Sequence, residues 1–222
     1  MLVKEWMTTD PITVTPETSI MKASQIMKEN NVRRLPVLDD RGKVVGIITD
    51  RDLKEASPSK ATTLDVHELY YLLSELKVKD IMSRRVITIK PDDTVEKAAV
   101  IMLENKVTGL PVTDGEKLVG VLSQGDVFRV LTSITGIYRG GTQFAFVLPD
   151  RPGTIKDVGD VIRKHGGRMV SILTSYDMCE EGTRNVYIRV ADMAPDKLAS
   201  LRADLESNFT VTHVSVDELS DI

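Results

Sequence analysis

Apolar residues recur along the chain at two spacings, and the spacings alternate. Ile20, Ala23 and Met27 fall on one helical face, and Val95, Ala98, Ala99 and Met102 do the same further on. Short apolar runs flank both stretches. Ile12–Val14 and Ile87–Ile89 predict short strands, each followed by a proline. Leu35–Leu38 and Leu110–Val112 predict a strand after each helix. Val44–Ile48 and Leu118–Leu122 are continuously apolar, which predicts a strand of parallel type covered on both faces. The turns before them, DDRGK and DGEK, hold residues that turns favour. A second helix should begin just after each of these strands; Val127, Val130, Leu131 and Ile134 mark its face in the later case.

The alternation is an internal repeat. VKEWM at 3–7 returns as VKDIM at 78–82, and DPITVTP at 10–16 as RVITIKP at 85–91. ASQIMKENNV at 23–32 returns as AAVIMLENKV at 98–107, LPVLD at 35–39 as LPVTD at 110–114, and KVVGIITDRD at 43–52 as KLVGVLSQGD at 117–126. A unit of about 50 residues buries too little surface to stand alone, so the two copies should pack together. Between them, ASPSKATT at 56–63 reads as a surface loop leading to a helix striped by Leu69, Leu72, Leu73 and Leu76. His67 in that helix has no partner in register for a metal.

Both copies end their apolar strand in a hydroxyl followed three residues later by an acid, Thr49 with Asp52 and Ser123 with Asp126. One reading is a helix capping box, with Asp in place of the usual Glu or Gln. The other is a ligand site, since a carboxylate can accept both hydroxyls of a ribose and a helix start can receive phosphate. The copies differ nearby: Arg33-Arg34 in the first corresponds to Thr108-Gly109 in the second, and Arg51 to Gly125. The first copy therefore holds the better phosphate donors.

The doubled G-h-h-[ST]-x-x-D (h, apolar), with DPITVTP and VRRLPVLD, resembles a tandem pair of CBS domains, the cystathionine-β-synthase-type module, over roughly residues 1–135. The resemblance implies a regulatory sensor without catalysis that binds an adenosine-containing ligand, AMP or ATP above all, in two clefts. It also implies association into a dimer. One cleft would use Thr49, Arg51 and Asp52 with Ile87, Val107 and Thr108. The other would use Ser123, Gly125 and Asp126 with Ile12, Val32 and Arg33. Asp52 and Asp126 would hold ribose.

The remainder changes pattern. The pair Gly140-Gly141 marks a boundary. Phe144, Phe146 and Leu148 alternate as a strand, Pro152 stands at an expected helix start, and Ile155, Val158 and Ile162 line that helix, which ends at His165-Gly166-Gly167. Val170 and Ile172, then Val186, Ile188 and Val190, predict two further strands; Pro195 opens a helix striped by Leu198, Leu201 and Leu205; residues 209–216 close as a strand. The order βαββαβ is the ferredoxin-like plan. DRPGTI at 150–155 makes the segment similar to an ACT domain, the small-molecule-sensing module. That resemblance gives Gly153 a place near an effector, with Asp150 either beside it or serving as the helix N-cap. The expected class is α/β (α+β), divided as 1–55 (first CBS unit), 56–76 (linker with helix), 77–135 (second CBS unit), 136–141 (linker) and 142–222 (ACT-like). A CBS pair followed by an ACT-like domain resembles the acetoin-utilisation type of regulatory protein.

Composition narrows the alternatives. The 222 residues are 41% apolar and 28% charged, as in ordinary globular proteins. The formal charge of −4 supplies no overall pull toward nucleic acid or anionic membrane. Lys4 and Glu5 stand where a secretory signal needs an apolar core, so the expected location is cytoplasmic. Cys179 is the only cysteine, which excludes an intrachain disulfide, and no basic neighbour activates it. His165 and His213 look isolated. No grouping for nucleophilic catalysis, metal binding or a phosphate loop emerges. The alternatives to a sensor are a dimerisation scaffold with empty clefts and a regulatory subunit acting on a separate enzyme.

Overall fold

A computed structural model of the chain describes residues 1–56 and 75–216. His67 and the leucine stripe at 69, 72 and 73 lie outside these residues. The chain divides into two compact units, Met1–Val127 and Phe128–Ile222.

In the first unit each repeat is a helix, a hairpin and a helix. Repeat one has α1 (Ile20–Glu29), β2 (Arg34–Leu38), β3 (Val44–Thr49) and α2 (Asp50–Ala56), preceded by the two-residue strand β1 (Thr8–Thr9). Repeat two begins with α3 (Val78–Ile81) and continues with α4 (Val95–Asn105), β4 (Gly109–Asp114), β5 (Lys117–Ser123) and α5 (Gln124–Thr135). The Ser19 hydroxyl caps α1 by accepting from Lys22 N (3.2 Å), and the Thr94 hydroxyl caps α4 through Lys97 N (3.1 Å). Ile20, Ala23 and Met27 are buried, as are Ala98 and Met102, so the helical faces read from the sequence do enter the cores.

Two strand expectations need correction. β2 with β3, and β4 with β5, are antiparallel hairpins in registers Arg34↔Thr49 and Gly109↔Ser123. Among the described residues, parallel pairing in this unit survives only as single bridges, Val14 to Val37 and Ile89 to Val112, where strands were expected over 12–14 and 87–89. The apolar runs in β3 and β5 arise because both faces of a hairpin are covered, by helices and by segments from the other repeat.

That second covering comes from an exchange. Val3, Trp6 and Met7 pack into the core of repeat two. Val3 N donates to Asp93 O (2.9 Å) and β1 pairs with β5, Thr8 opposite Val121. Reciprocally, Val78, Ile81 and Met82 pack into the core of repeat one, Val78 N donates to Thr18 O (2.8 Å), and Ile47 and Ser83 exchange backbone bonds of 3.0 Å. A Cβ on Gly120 would lie 2.6 Å from Met7 Sδ, and one on Gly46 would strike Met82, so each glycine admits the other repeat's methionine. The VKEWM and VKDIM motifs that open the two copies in sequence each complete the opposite copy in space.

The second unit has β6 (Thr142–Pro149), α6 (Thr154–Lys164), β7 (Met169–Ser175), β8 (Thr183–Val190), α7 (Pro195–Asn208) and β9 (Thr210–Val216). The sheet order is β7-β8-β6-β9 with every neighbouring pair antiparallel. The expected element order βαββαβ is therefore observed, around a core of Phe144, Phe146, Leu148, Val158, Ile162, Val186, Ile188, Leu201 and Leu205. The compact division falls inside α5 rather than at Gly140-Gly141. The reason is that the helix end belongs to this unit: Thr135 O accepts from Ser171 Oγ (2.8 Å) and from the buried Arg189 Nε (3.1 Å).

Two smaller expectations also change. α6 starts at Thr154, with Gly153 as N-cap at φ 95°, so Pro152 lies before the helix and Asp150 is not its cap. His165 is not isolated: its Nε2 lies 2.9 Å from Asp204 Oδ2, which also accepts from Lys164 Nζ at 3.1 Å. Those bonds, His165 first, hold the Asp204 carboxyl below its ordinary range. Cys179 is half-buried, with Sγ 3.6 Å from Ser175 O.

Candidate functional site

Both hydroxyl–acid motifs close as capping boxes. Asp52 Oδ2 accepts from Thr49 N and from Thr49 Oγ1, each at 2.7 Å, while Asp52 N donates to Thr49 Oγ1 at 3.3 Å. Asp126 Oδ2 accepts from Ser123 N at 2.7 Å and Ser123 Oγ at 2.6 Å, and Asp126 N donates back at 3.3 Å. Asp is long enough to close the box because the hydroxyl and the amide converge on one oxygen. In both boxes the capping bonds fall on Oδ2. Asp126 is buried and Asp52 is half-buried.

The residues before β2 and β4 are fixed beside these boxes by matching backbone bonds. Asp50 N donates to Arg33 O (3.0 Å) and Gln124 N to Thr108 O (2.9 Å). Val32 N likewise bonds Met27 O (2.9 Å), and Val107 N bonds Met102 O (3.0 Å). Each pre-strand segment is thus bonded to the helix start of its own repeat. Across the repeats, the bond near the boxes runs from Arg34 Nη2 to Thr108 Oγ1 at 2.6 Å. Of the pair Arg33-Arg34, Arg34 is the one that touches the other repeat. The signal was in the sequence, as the mismatch between Arg34 and Gly109 at equivalent places.

The basic residues differ in setting. Arg34 is half-buried; burial is the main influence on its guanidinium and draws its pKa down, Asp50 and then Asp126 oppose that, and Arg33 adds to it. Arg33 is exposed and lines, with Val32, Asp50, Leu53 and Lys54, a depression of about 360 Å³ on repeat one. Arg51 is exposed and its Nε meets Glu55 Oε1 at 3.0 Å, so the expected further phosphate donor is engaged along its own helix. Gly125 has room for a side chain, the nearest atom to a Cβ there being Ser123 Oγ at 3.5 Å. Ile12 is 37% exposed, whereas Ile87 packs against the core of repeat two.

In the second unit, Asp150 Oδ1 lies 3.6 Å from Arg184 Nη1 and 3.4 Å from Tyr176 OH, while Arg184 Nη2 donates to Thr154 Oγ1 at 3.2 Å. A Cβ on Gly153 would meet nothing within 4 Å, so the glycine answers the left-handed backbone, not a crowded neighbour. Among the described residues, no group of three or more His, Cys, Asp or Glu is placed to hold a metal, and no helix is long and apolar enough to cross a membrane.

The CBS domain profile matches residues 3–59 and 78–133, the two repeats. The chain belongs to the CBS-domain family. Its CBS pair is 32% identical to the solved CBS domain pair of protein MJ0100 in complex with 5′-methylthioadenosine and S-adenosyl-L-methionine, over 59% of this chain and 95% of that one, at a TM-score of 0.50. It is 34% identical to CBSX2 in complex with AMP, over 60% of this chain and 98% of that one, again at 0.50. The L-aspartate semialdehyde sulfurtransferase of Methanocaldococcus jannaschii is 33% identical over 130 residues, 58% of this chain and 23% of the enzyme. The chain thus spans about a quarter of that enzyme's length.

Proposed function

We propose that the CBS pair is a non-catalytic regulatory sensor for an adenosine-containing ligand, with AMP or ATP the preferred class. The observation that carries this is the doubled box: two helix starts each hold an acid by Oδ2 beside a hydroxyl, in a family whose solved relatives hold AMP, methylthioadenosine and S-adenosylmethionine. Asp52 and Asp126 would hold ribose hydroxyls, with Thr49 and Ser123 beside them. The grouping into clefts is part of the proposal: Thr49, Arg51 and Asp52 with Ile87, Val107 and Thr108, and Ser123, Gly125 and Asp126 with Ile12, Val32 and Arg33. Ligand occupancy would pass to a partner protein, through a dimer formed by the CBS pair. The βαββαβ unit is read as ACT-like, serving a second effector near Gly153 and Asp150 or dimerisation, in a cytoplasmic regulator of the acetoin-utilisation type that uses neither nucleic acid nor membrane.

A second reading has its own support. Both boxes are complete without a ligand, as a scaffold would require. Thermal unfolding with AMP, ATP, S-adenosylmethionine and methylthioadenosine separates the two. A sensor gains about 2.7 kcal/mol at a hundredfold excess over Kd, and a scaffold gains nothing. Asp52→Asn and Asp126→Asn should each cost about 1 kcal/mol of stability, as other caps do, and remove binding at one site. Unchanged affinity in both variants would remove the carboxylates from the site.

A further inference from the structure

Arg34 and Gly109 occupy equivalent places in the two repeats, and the structure sets one upon the other. Arg34 is rooted opposite Thr49 in the β2–β3 ladder. Its guanidinium lies over Gly109, which stands opposite Ser123 in the β4–β5 ladder. Nη2 donates to Thr108 Oγ1 at 2.6 Å, and a Cβ at Gly109 would fall inside the guanidinium. Gly109 is not among the glycines at positive φ, so it is there for space rather than for backbone freedom. Nη1 of Arg34 is buried and makes no hydrogen bond among the described residues. A guanidinium stays charged and offers five donors, so this head retains donors for an anion. Thr49 and Ser123 each hold a carboxylate, and one cation is therefore rooted opposite the first hydroxyl–acid motif and ends on the residue opposite the second. The equivalent position in repeat two is glycine, so the pair has no symmetric counterpart of this side chain.

Resting on the adenosyl-binding reading of the two motifs, we infer that Arg34 is a single phosphate-recognising cation shared by both sites. A phosphorylated ligand at one site withdraws it from the other. The CBS pair then holds one phosphorylated adenosyl ligand well and a second poorly, while a phosphate-free ligand is spared this competition.

Calorimetric titration of the full chain with AMP and with adenosine tests this. In the unaltered protein the two AMP affinities should differ by at least about tenfold more than the two adenosine affinities do, a coupling of about 1.4 kcal/mol. Arg34→Met should weaken the tighter AMP site at least about tenfold, leave adenosine unchanged, and bring the AMP spacing to that of adenosine. Gly109→Ala retains the charge but dislodges the guanidinium, and should narrow the AMP spacing too; it serves if Arg34→Met does not fold. Equal AMP and adenosine spacing in the unaltered protein, or AMP isotherms unmoved by either substitution, overturns the shared cation while leaving the sensor reading intact. If neither AMP nor adenosine binds the unaltered protein, the sensor reading itself fails, and the shared cation with it.

Discussion

Repeat one carries Arg34 opposite Thr49, and repeat two carries Gly109 opposite Ser123. In their framework the copies agree: capped first helices, hairpins in the same register, and a closed box at each second helix. The divergence falls where the two meet. A side chain long enough to cross from one repeat to the other needs a vacancy to enter, and two arginines at these equivalent places would compete for the same volume. The contrast teaches that internal duplication keeps the framework of each copy alike while their meeting point has to be unlike.

The largest effect should come from removing equivalent core residues. Leu35 and Leu110 are both 0% exposed, and Leu→Ala at either should cost about 2–5 kcal/mol in urea unfolding. Because the VKEWM and VKDIM segments are exchanged, both substitutions should lower one common transition. Two separated transitions would show that the repeats unfold independently. A smaller cost, about 1 kcal/mol, is expected for Thr49→Ala and for Ser123→Ala, each of which opens one box. Equal losses would mark capping as shared, whereas a difference measures what the deeper burial of Asp126 adds.

The smallest effect is electrostatic and separates the repeats by pH. The turn before α4 is held by Asp93, whose Oδ2 accepts from Lys90 N at 3.0 Å, and the matching turn before α1 is held by Thr18, whose hydroxyl accepts from Thr15 N at 3.1 Å. The hydrogen bond from Lys97, then that from Lys90 N, holds the Asp93 carboxyl below its ordinary value. A lowered folded pKa contributes stability above the unfolded carboxyl value, near 3.9, and that contribution is lost as pH falls through the folded value. Carboxyl NMR should place the Asp93 midpoint below that value, and the Lys90 amide of the α4 turn should shift as pH falls through that midpoint, whereas the Thr15 amide, bonded to a hydroxyl, should show no transition at that midpoint. A Lys90 amide that does not follow the Asp93 midpoint would contradict the assignment. The exposure of this pair keeps its stability effect small.

Much of the candidate site was legible because it is local. Thr49 with Asp52 and Ser123 with Asp126 are three apart, and that spacing alone dictates a closed box at a helix start. Which of Arg33 and Arg34 reaches the other repeat was not legible, since neighbouring side chains point to different sides and only the tertiary packing decides which crosses. His165 with Asp204 was hidden for a related reason, as a pair between two helices 39 residues apart.

The sequence by itself determined the duplication, the helical faces and the βαββαβ order, because each follows from spacings of a few residues and from turn chemistry. Tertiary structure alone decided that Val3 and Val78 complete the opposite repeats, that the strands pair antiparallel, and that Arg34 rests on Gly109. Two copies nearly alike in pattern offer nearly the same apolar surface to either leading segment. Which of them it covers is settled by chain connectivity and packing in three dimensions, and no local spacing records it.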